Sequence, residues 1–261
     1  MQLIPLIEDS KVKNFKEEKG LSLFIQTKGI KIIFDTGFSK KFIENAKKLE
    51  IKMDKIDYFI ISHGHRDHCG GLQFLDFRIK TSKPIFLEKR CLNREFSFNF
   101  MGIRKKIGKN DYEINGIEFK DLFKITDELY LIKTLKKEKN VKFEVDGKID
   151  DFNHEIHLVV LESNHVNVVT GCCHSGIFNL IDSLKEYFPN KKINAIIGGL
   201  HTRSYILHPI KLIKLIIKLK KYKETKLILG HCTGKITIFL FSIFKKNIFK
   251  IKIGKEYIVW K

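Results

Sequence analysis

Residues 61–72 read ISHGHRDHCGGL, and this stretch decides how the rest of the chain is read. It sets His63, His65, His68 and Asp67 within a few positions, directly after the apolar run IDYFIIS. A run of that length bounded by polar residues is predicted to be a buried strand, and side chains at a strand's end are held by rigid backbone. A neutral imidazole offers a ring nitrogen to a metal ion, and a carboxylate offers a harder, charged donor. Alternate side chains splay apart at a strand-to-helix turn. His63 and His65 are therefore expected to reach one ion and Asp67 and His68 a second, with Gly64 keeping the turn open.

Upstream, LSLFIQTKGIKIIFDTG predicts a hairpin turning at Lys28-Gly29, with Leu21, Leu23 and Ile25 alternating against polar or small neighbours. Ser39 is expected to cap a helix through KKFIENAKKLE, whose Phe42, Ile43, Ala46 and Leu49 recur at helical spacing. Downstream, EIHLVVLES and HVNVVTG predict a second hairpin. CCHSG then opens a helix with Ile177, Leu180, Ile181, Leu184 and Phe188 on one face. The same order of strand, histidine and helix delivers His174, then His201 after INAIIGG, then His231 after KLILG. A metal site needs ligands from distant sequence, and these histidines arrive at strand ends as required.

Residues 76–150 are rich in Lys and Arg and carry the aromatic FSFNFMG; they are expected to form a lid or insertion over the site of a single domain spanning 1–261. Lys211, Lys214, Lys218 and Lys221 recur along one side of a helix and are expected to be its solvated face. His154, His157, His165 and His208 lack comparable context and are expected to be structural or on the surface.

The formal net charge of +19 favours phosphate-rich partners, yet lysine is spread throughout the chain rather than gathered in one patch. A basic nucleic-acid-binding module is the non-enzyme alternative. Five cysteines, odd in number and without paired spacing, exclude a disulfide framework and a zinc ribbon. No secretory signal and no run of membrane-spanning length is present, so no membrane partner is expected and a cytoplasmic location is.

SHGHRDHCGGL resembles the His-x-His-x-Asp-His signature of the metallo-β-lactamase superfamily, and IIFDTG resembles that superfamily's strand carrying Asp35. The stretches EEKGLSLFI, NAKKLEI, TGCCHSGIFNLI, IIGGLH and LILGHCTG are similar to a subgroup that includes a dihydropterin-type synthase. The resemblance implies an α/β (α+β) fold, an αββα four-layer sandwich with a metal site at one edge. It implies two ions, Zn2+ or alternatively Mn2+ or Fe2+, with His63, His65 and His174 on one and Asp67, His68 and His231 on the other. Asp35 and Cys172 would stand behind these ligands. Many members carry an Asp in a Thr-Gly-Asp context where this chain has Cys172 in TGCCHSG.

The chemistry expected is that of a metal-dependent hydrolase or transferase acting on a small phosphorylated, pterin-like metabolite, with a nuclease or phosphodiesterase as the alternative. Asp67 would orient water, and His201 would contact substrate or metal and steady developing charge. Arg90, Arg94 and Arg104 are candidates to hold a phosphate.

Overall fold

The computed structural model describes residues 1–259 except 101, 110, 111, 113 and 138–141. Ser22–Thr27 and Ile30–Phe34 pair antiparallel around Lys28 and Gly29, both at positive φ as a two-residue hairpin turn requires. Tyr58–Ile61, the strand ahead of the histidine cluster, joins this pair in parallel. The complete first sheet runs Tyr257–Ile258, Gln2–Ile7, Ser22–Thr27, Ile30–Phe34, Tyr58–Ile61 and Ile85–Leu87.

The second sheet runs Ile248–Lys250, Lys226–Leu229, Lys192–Gly198, His165–Thr170, His157–Glu162, Leu129–Ile132 and Leu122–Lys124. Its central members carry the predicted hairpin of His157–Glu162 and His165–Thr170. Strand alternation explains how the layers assemble. Leu23, Ile25, Ile32 and Phe34 pack inward against Leu158, Val160, Val169 and Ile197 of the other sheet. Their neighbours Phe24, Ile33, Phe59 and Ile61 point the other way, onto the helix Lys41–Lys48 through Phe42 and Ala46. On the far side, Val166, Val168 and Ile196 meet the helices Ile177–Tyr187, Pro209–Leu219 and Lys235–Phe244. The order of layers is α, β, β, α, as the resemblance implies.

Two expectations need correction. Ser39 does not cap the first helix, whose N-cap is Lys40; the Ser39 hydroxyl donates instead to Glu18 Oε2 at 2.6 Å. Glu18 also accepts from Phe38 N and Ser39 N at 2.8 and 3.0 Å and so holds Ser39 one residue ahead of the cap, where its oxygen accepts only a long bond from Lys41 N at 3.4 Å. Second, residues 76–150 are not one insertion. Ile85–Leu87 completes the first sheet and Leu122–Lys124 and Leu129–Ile132 the second, since their apolar side chains belong to the cores. Only Glu95–Phe100, Ile103–Lys109, Phe143–Val145 and Lys148–Ile149 form a separate small sheet, which stands over the site. Part of the proposed lid, at 101, 110, 111, 113 and 138–141, lies outside the described residues.

The helix Pro209–Leu219 has three faces. Leu212, Leu215, Ile216 and Leu219 are buried, while Ile210, Ile213 and Ile217 are exposed. Lys211, Lys214 and Lys218 are exposed as expected, but they border a cleft rather than open surface. Among the described residues no helix is long and apolar enough to cross a membrane.

Candidate metal centre

The strand Tyr58–Ile61 ends at Ser62, and the backbone then turns so that His63 and His65 project toward the loops following the second sheet's strands. Glycine makes this approach of the two sheets feasible. A Cβ on Gly171 would lie 2.1 Å from Ser62 Oγ and 3.1 Å from Asp35 Oδ2, so no other residue fits there without displacement.

A chain of hydrogen bonds from Asp35 sets the imidazoles. Asp35 Oδ1 accepts from Ser62 N at 2.7 Å, and Oδ2 accepts from the Ser62 hydroxyl at 2.8 Å and from His68 Nδ1 at 2.7 Å. With its hydrogen given to Asp35, Ser62 Oγ can only accept from His63 Nδ1, 2.8 Å away. Both rings are thereby left with Nε2 as a free lone pair. His231 is set the same way by Asp9, whose Oδ1 accepts from His231 Nδ1 at 2.7 Å. Asp9 also pairs with Arg203 and accepts from Gly20 N at 3.1 Å, and buried Glu8 accepts from His231 N at 3.0 Å. Metal-bound imidazoles commonly give their second N–H to a carboxylate in this manner, which fixes both tautomer and ring direction.

The free nitrogens face one another. His68 Nε2 lies 3.2 Å from His231 Nε2, and His63 Nε2 lies 3.1 Å from His65 Nδ1. Without metal each contact is closed by one proton, since His65 Nδ1 can donate to His63 Nε2 and protonated His231 to His68 Nε2; the spacing is also that of two ligands of one tetrahedral zinc, about 3.3 Å apart. His174 is buried with neither ring nitrogen hydrogen-bonded. Its ring is held parallel to Phe152 at 4.3 Å, and Glu155 fixes its backbone by accepting from His174 N and Ser175 N at 2.8 and 2.9 Å. An imidazole buried without a partner is costly, and a metal ion relieves that cost. The residues present therefore fit the implied metal.

Cys172 Sγ is the common member of the donor groups. It lies with His63 and His174 in one group and with His68 and His231 in another, and the donor atoms of each group are all within 4.8 Å of one another. It is 3.3 Å from His68 Nε2. Its thiol thus lies among the donor atoms of both histidine sets, within 4.8 Å of each. Asp67 sits nearby, with Oδ2 3.7 Å from His231 Nε2 and 3.9 Å from Lys19 Nζ.

Electrostatics follow from burial. His63 and His174 are held well below the ordinary histidine range by burial and by neighbouring imidazoles, and His65 is lowered to about 3, chiefly by burial. These rings are neutral at pH 7 and ready to donate a lone pair. Burial opposes ionisation of Asp67, but the imidazoles of His68, His231 and His65 outweigh it and lower its pKa. His231 is the exception: burial lowers it, yet the Asp9 hydrogen bond and the charges of Cys232 and Asp67 raise it to about 9. The group that favours a proton there would equally favour a metal cation.

The site is the floor of a cleft of about 1400 Å³. One wall is the small sheet, where Phe143 stacks on His65 with ring centroids 5.3 Å apart. The cations lining the cleft are mostly lysines, among them Lys105, Lys106 and Lys142 of the small sheet and Lys211, Lys214 and Lys218 of the helix Pro209–Leu219, together with Lys19, Lys41 and Arg203, which pairs with Asp9. None of the expected phosphate-holding arginines borders the cleft. Arg94 is paired with Asp146, Arg104 with Glu144 at 3.1 Å, and Arg90 is exposed elsewhere. Glu144 on an adjoining strand and Asp146 in the turn after it capture two of these guanidinium groups.

His201 lines the cleft, with its ring 4.4 Å from that of His174. His154, expected to be structural or on the surface, is buried and bonds Asp150 Oδ2 at 2.9 Å while accepting from Gly64 N at 3.4 Å, so it braces the HGH turn. His157 is buried against Thr170 Oγ1 at 3.0 Å, and His165 and His208 are exposed. Sequence reasoning missed Glu8, Asp9 and Glu155. The acidic pair at the end of the first strand was the only local signal for Glu8 and Asp9.

Comparison with known proteins places these features in context. A family model of the metallo-beta-lactamase superfamily matches residues 16–177. The chain is 28% identical over 266 residues to the 7,8-dihydropterin-6-methyl-4-(beta-D-ribofuranosyl)-aminobenzene-5'-phosphate synthase of Methanocaldococcus jannaschii, covering 92% of this chain and 90% of that one. Among solved structures it resembles a metal-dependent hydrolase of the beta-lactamase superfamily, at a TM-score of 0.82 and 27% identity over 100% of both chains. Human tRNase Z, short form, shares the fold at a TM-score of 0.59 and 11% identity, again over 100% of both chains.

Proposed function

Since this chain belongs to the metallo-beta-lactamase superfamily, we propose that it is a metal-dependent enzyme acting on a small phosphorylated, pterin-like metabolite, by hydrolysis or by group transfer. The observation that carries this reading is the convergence of buried, oriented imidazoles with the Cys172 thiol at the floor of a lysine-rimmed cleft. The identity of the Methanocaldococcus relative over 92% of the chain supports the pterin-like substrate, because it spans the cleft walls as well as the metal motif.

His63, His65 and His174 would hold one ion and His68, His231 and Asp67 the other, with Cys172 shared between them. Zinc suits the imidazole and thiolate donors, and Fe2+ or Mn2+ are the alternatives. When bound, such ions polarise a phosphoryl oxygen and make water acidic enough to ionise near neutrality. The protein supplies the rest. Asp35 and Asp9 keep the imidazoles in the tautomers that face the cleft. Asp67, held ionised by the neighbouring imidazoles, would orient an incoming nucleophile and accept its proton.

The cleft exceeds the roughly 300–1,000 Å³ of a usual small-ligand pocket, giving room for a ring system alongside a phosphate chain. Phe98 and Phe143 offer flat apolar surface for the ring, and the lysines offer charge-assisted hydrogen bonds to phosphate. Both reaction types place anionic oxygens at the same point. In hydrolysis water is the nucleophile, and in group transfer an aromatic amine displaces a diphosphate.

The test is a turnover assay of the metal-loaded protein on phosphomonoesters, phosphodiesters, a dihydropterin diphosphate with and without an arylamine, and RNA. Metal-dependent turnover of a small phosphorylated compound supports the reading. Cleavage of RNA alone at physiological salt replaces it with the nuclease.

A further inference from the structure

The motifs GGLH and GHCTG contribute more to this site than His231. Cys232 follows His231 directly, and its Sγ accepts from His201 N at 3.2 Å and lies 3.8 Å from the Cys172 carbonyl oxygen. Cys172 Sγ, Cys232 Sγ and an imidazole nitrogen of His201 all lie within 4.8 Å of one another. Both cysteines are free thiols, 3% and 8% exposed.

Two further observations separate this group from ordinary packing. His201 Nδ1 is buried without a hydrogen-bond partner. His201 also sits at φ +50°, a left-handed conformation that costs a non-glycine residue energy and persists only where the surroundings over-determine it. The approach is as close as backbone allows: a Cβ on Gly199 would come within 2.4 Å of Cys232 Sγ and 2.7 Å of the Gly171 carbonyl oxygen. Glycine at 199 lets the GGLH and GHCTG loops converge on Cys172.

We infer that Cys172, Cys232 and His201 form a third metal position, thiolate-rich and contiguous with the two histidine positions through Cys172. It rests on the two-ion reading only in sharing that thiol. Its donor set differs in kind. Two sulfurs and one imidazole select borderline or soft ions such as Zn2+, Fe2+ or Cu+ over Mg2+ or Mn2+, whereas histidine and carboxylate accept both classes. Three protein donors leave a fourth tetrahedral place, and the half-buried His201 sits where the cleft could supply it.

The experiment reconstitutes the full chain with Zn2+, and separately with Co2+, under a non-chelating reductant, removes loose ions by gel filtration and counts bound metal by elemental analysis. Wild type is expected to hold about three ions and Cys232→Ser about two, with one of two thiolate-to-cobalt charge-transfer contributions lost in the near ultraviolet. His201→Ala, which keeps both thiols, is expected to lose the same ion and serves if Cys232→Ser does not fold. A His63→Ala/His65→Ala double variant should lose a different ion while the absorption dependent on Cys232 persists. That separates failure of the histidine positions from failure of the third. Equal metal content and equal near-ultraviolet absorption in wild type, Cys232→Ser and His201→Ala would overturn the inference.

Discussion

Asp9 Oδ1 accepts a hydrogen bond from His231 Nδ1 at 2.7 Å, joining residues 222 positions apart. The bond ties the end of the first strand of one sheet to the loop after Lys226–Leu229 of the other, so the site closes only when the two sheets are packed. The same carboxylate orients the ring and raises its basicity. Replacing Asp9 with Asn keeps the shape and removes the charge. Metal affinity at the His68–His231 pair is expected to fall about 10- to 100-fold. A competitive chelator titration measures this, and an unchanged dissociation constant would show that Asp9 is incidental.

Asp67→Asn should leave the fold intact and lower turnover on an identified substrate on the order of 100-fold or more, since the amide cannot accept the nucleophile's proton. Circular dichroism checks the fold and steady-state kinetics the rate. Wild-type turnover in the variant removes Asp67 from the mechanism.

The metal-free protein should have a stability optimum in pH. His63, His65 and His174 have folded pKa values below the unfolded value near 6.5, so the unfolded chain binds more protons as pH drops. Their contribution is present above pH 6.5 and is lost as pH falls toward 3. His231 is shifted the opposite way, to about 9; its contribution is complete below 6.5 and is lost as pH rises through 9. Thermal melts of chelator-treated protein should therefore peak near neutrality and decline on both sides. Metal should flatten the profile, because a bound ion fixes the protonation of all four rings. A metal-free Tm that rises steadily from pH 5 to 9 contradicts these assignments.

Gly171→Ala should destabilise the protein by about 1–3 kcal/mol, since the added methyl collides with Ser62 and crowds Asp35. The same change pushes Ser62 off His63, so metal affinity should weaken along with stability. Denaturant unfolding with and without metal separates the two effects. A variant as stable as wild type would mean that the loops part at no cost.

Much of this was legible in the sequence because its signals were local. HGHRDH follows an apolar run of strand length, and the strands and helices around it show clear alternation or helical spacing. What escaped was set by distance. Asp9 and Glu155 reach the histidine loops only through sheet packing, and beyond the acidic pair Glu8-Asp9 at a strand end nothing near them in sequence announces it. The position of Cys172 between the two histidine sets depends on how two loops meet, which residue type alone does not reveal. The arginines illustrate the opposite error. Their charge suggested phosphate, but Asp146 and Glu144 of the small sheet and its turn pair with Arg94 and Arg104, and most of the cations that line the cleft are lysines.

The central claim, that His63, His65 and their partners hold metal that the reaction requires, is tested most directly by elemental analysis of purified wild type and the His63→Ala/His65→Ala double variant, each assayed on the same phosphoester and pterin-diphosphate panel. The account expects transition metal, predominantly zinc, in wild type, and at least one ion fewer together with a loss of turnover in the double variant while the fold persists. Equal metal content in the two proteins, or undiminished turnover in the variant, would contradict it.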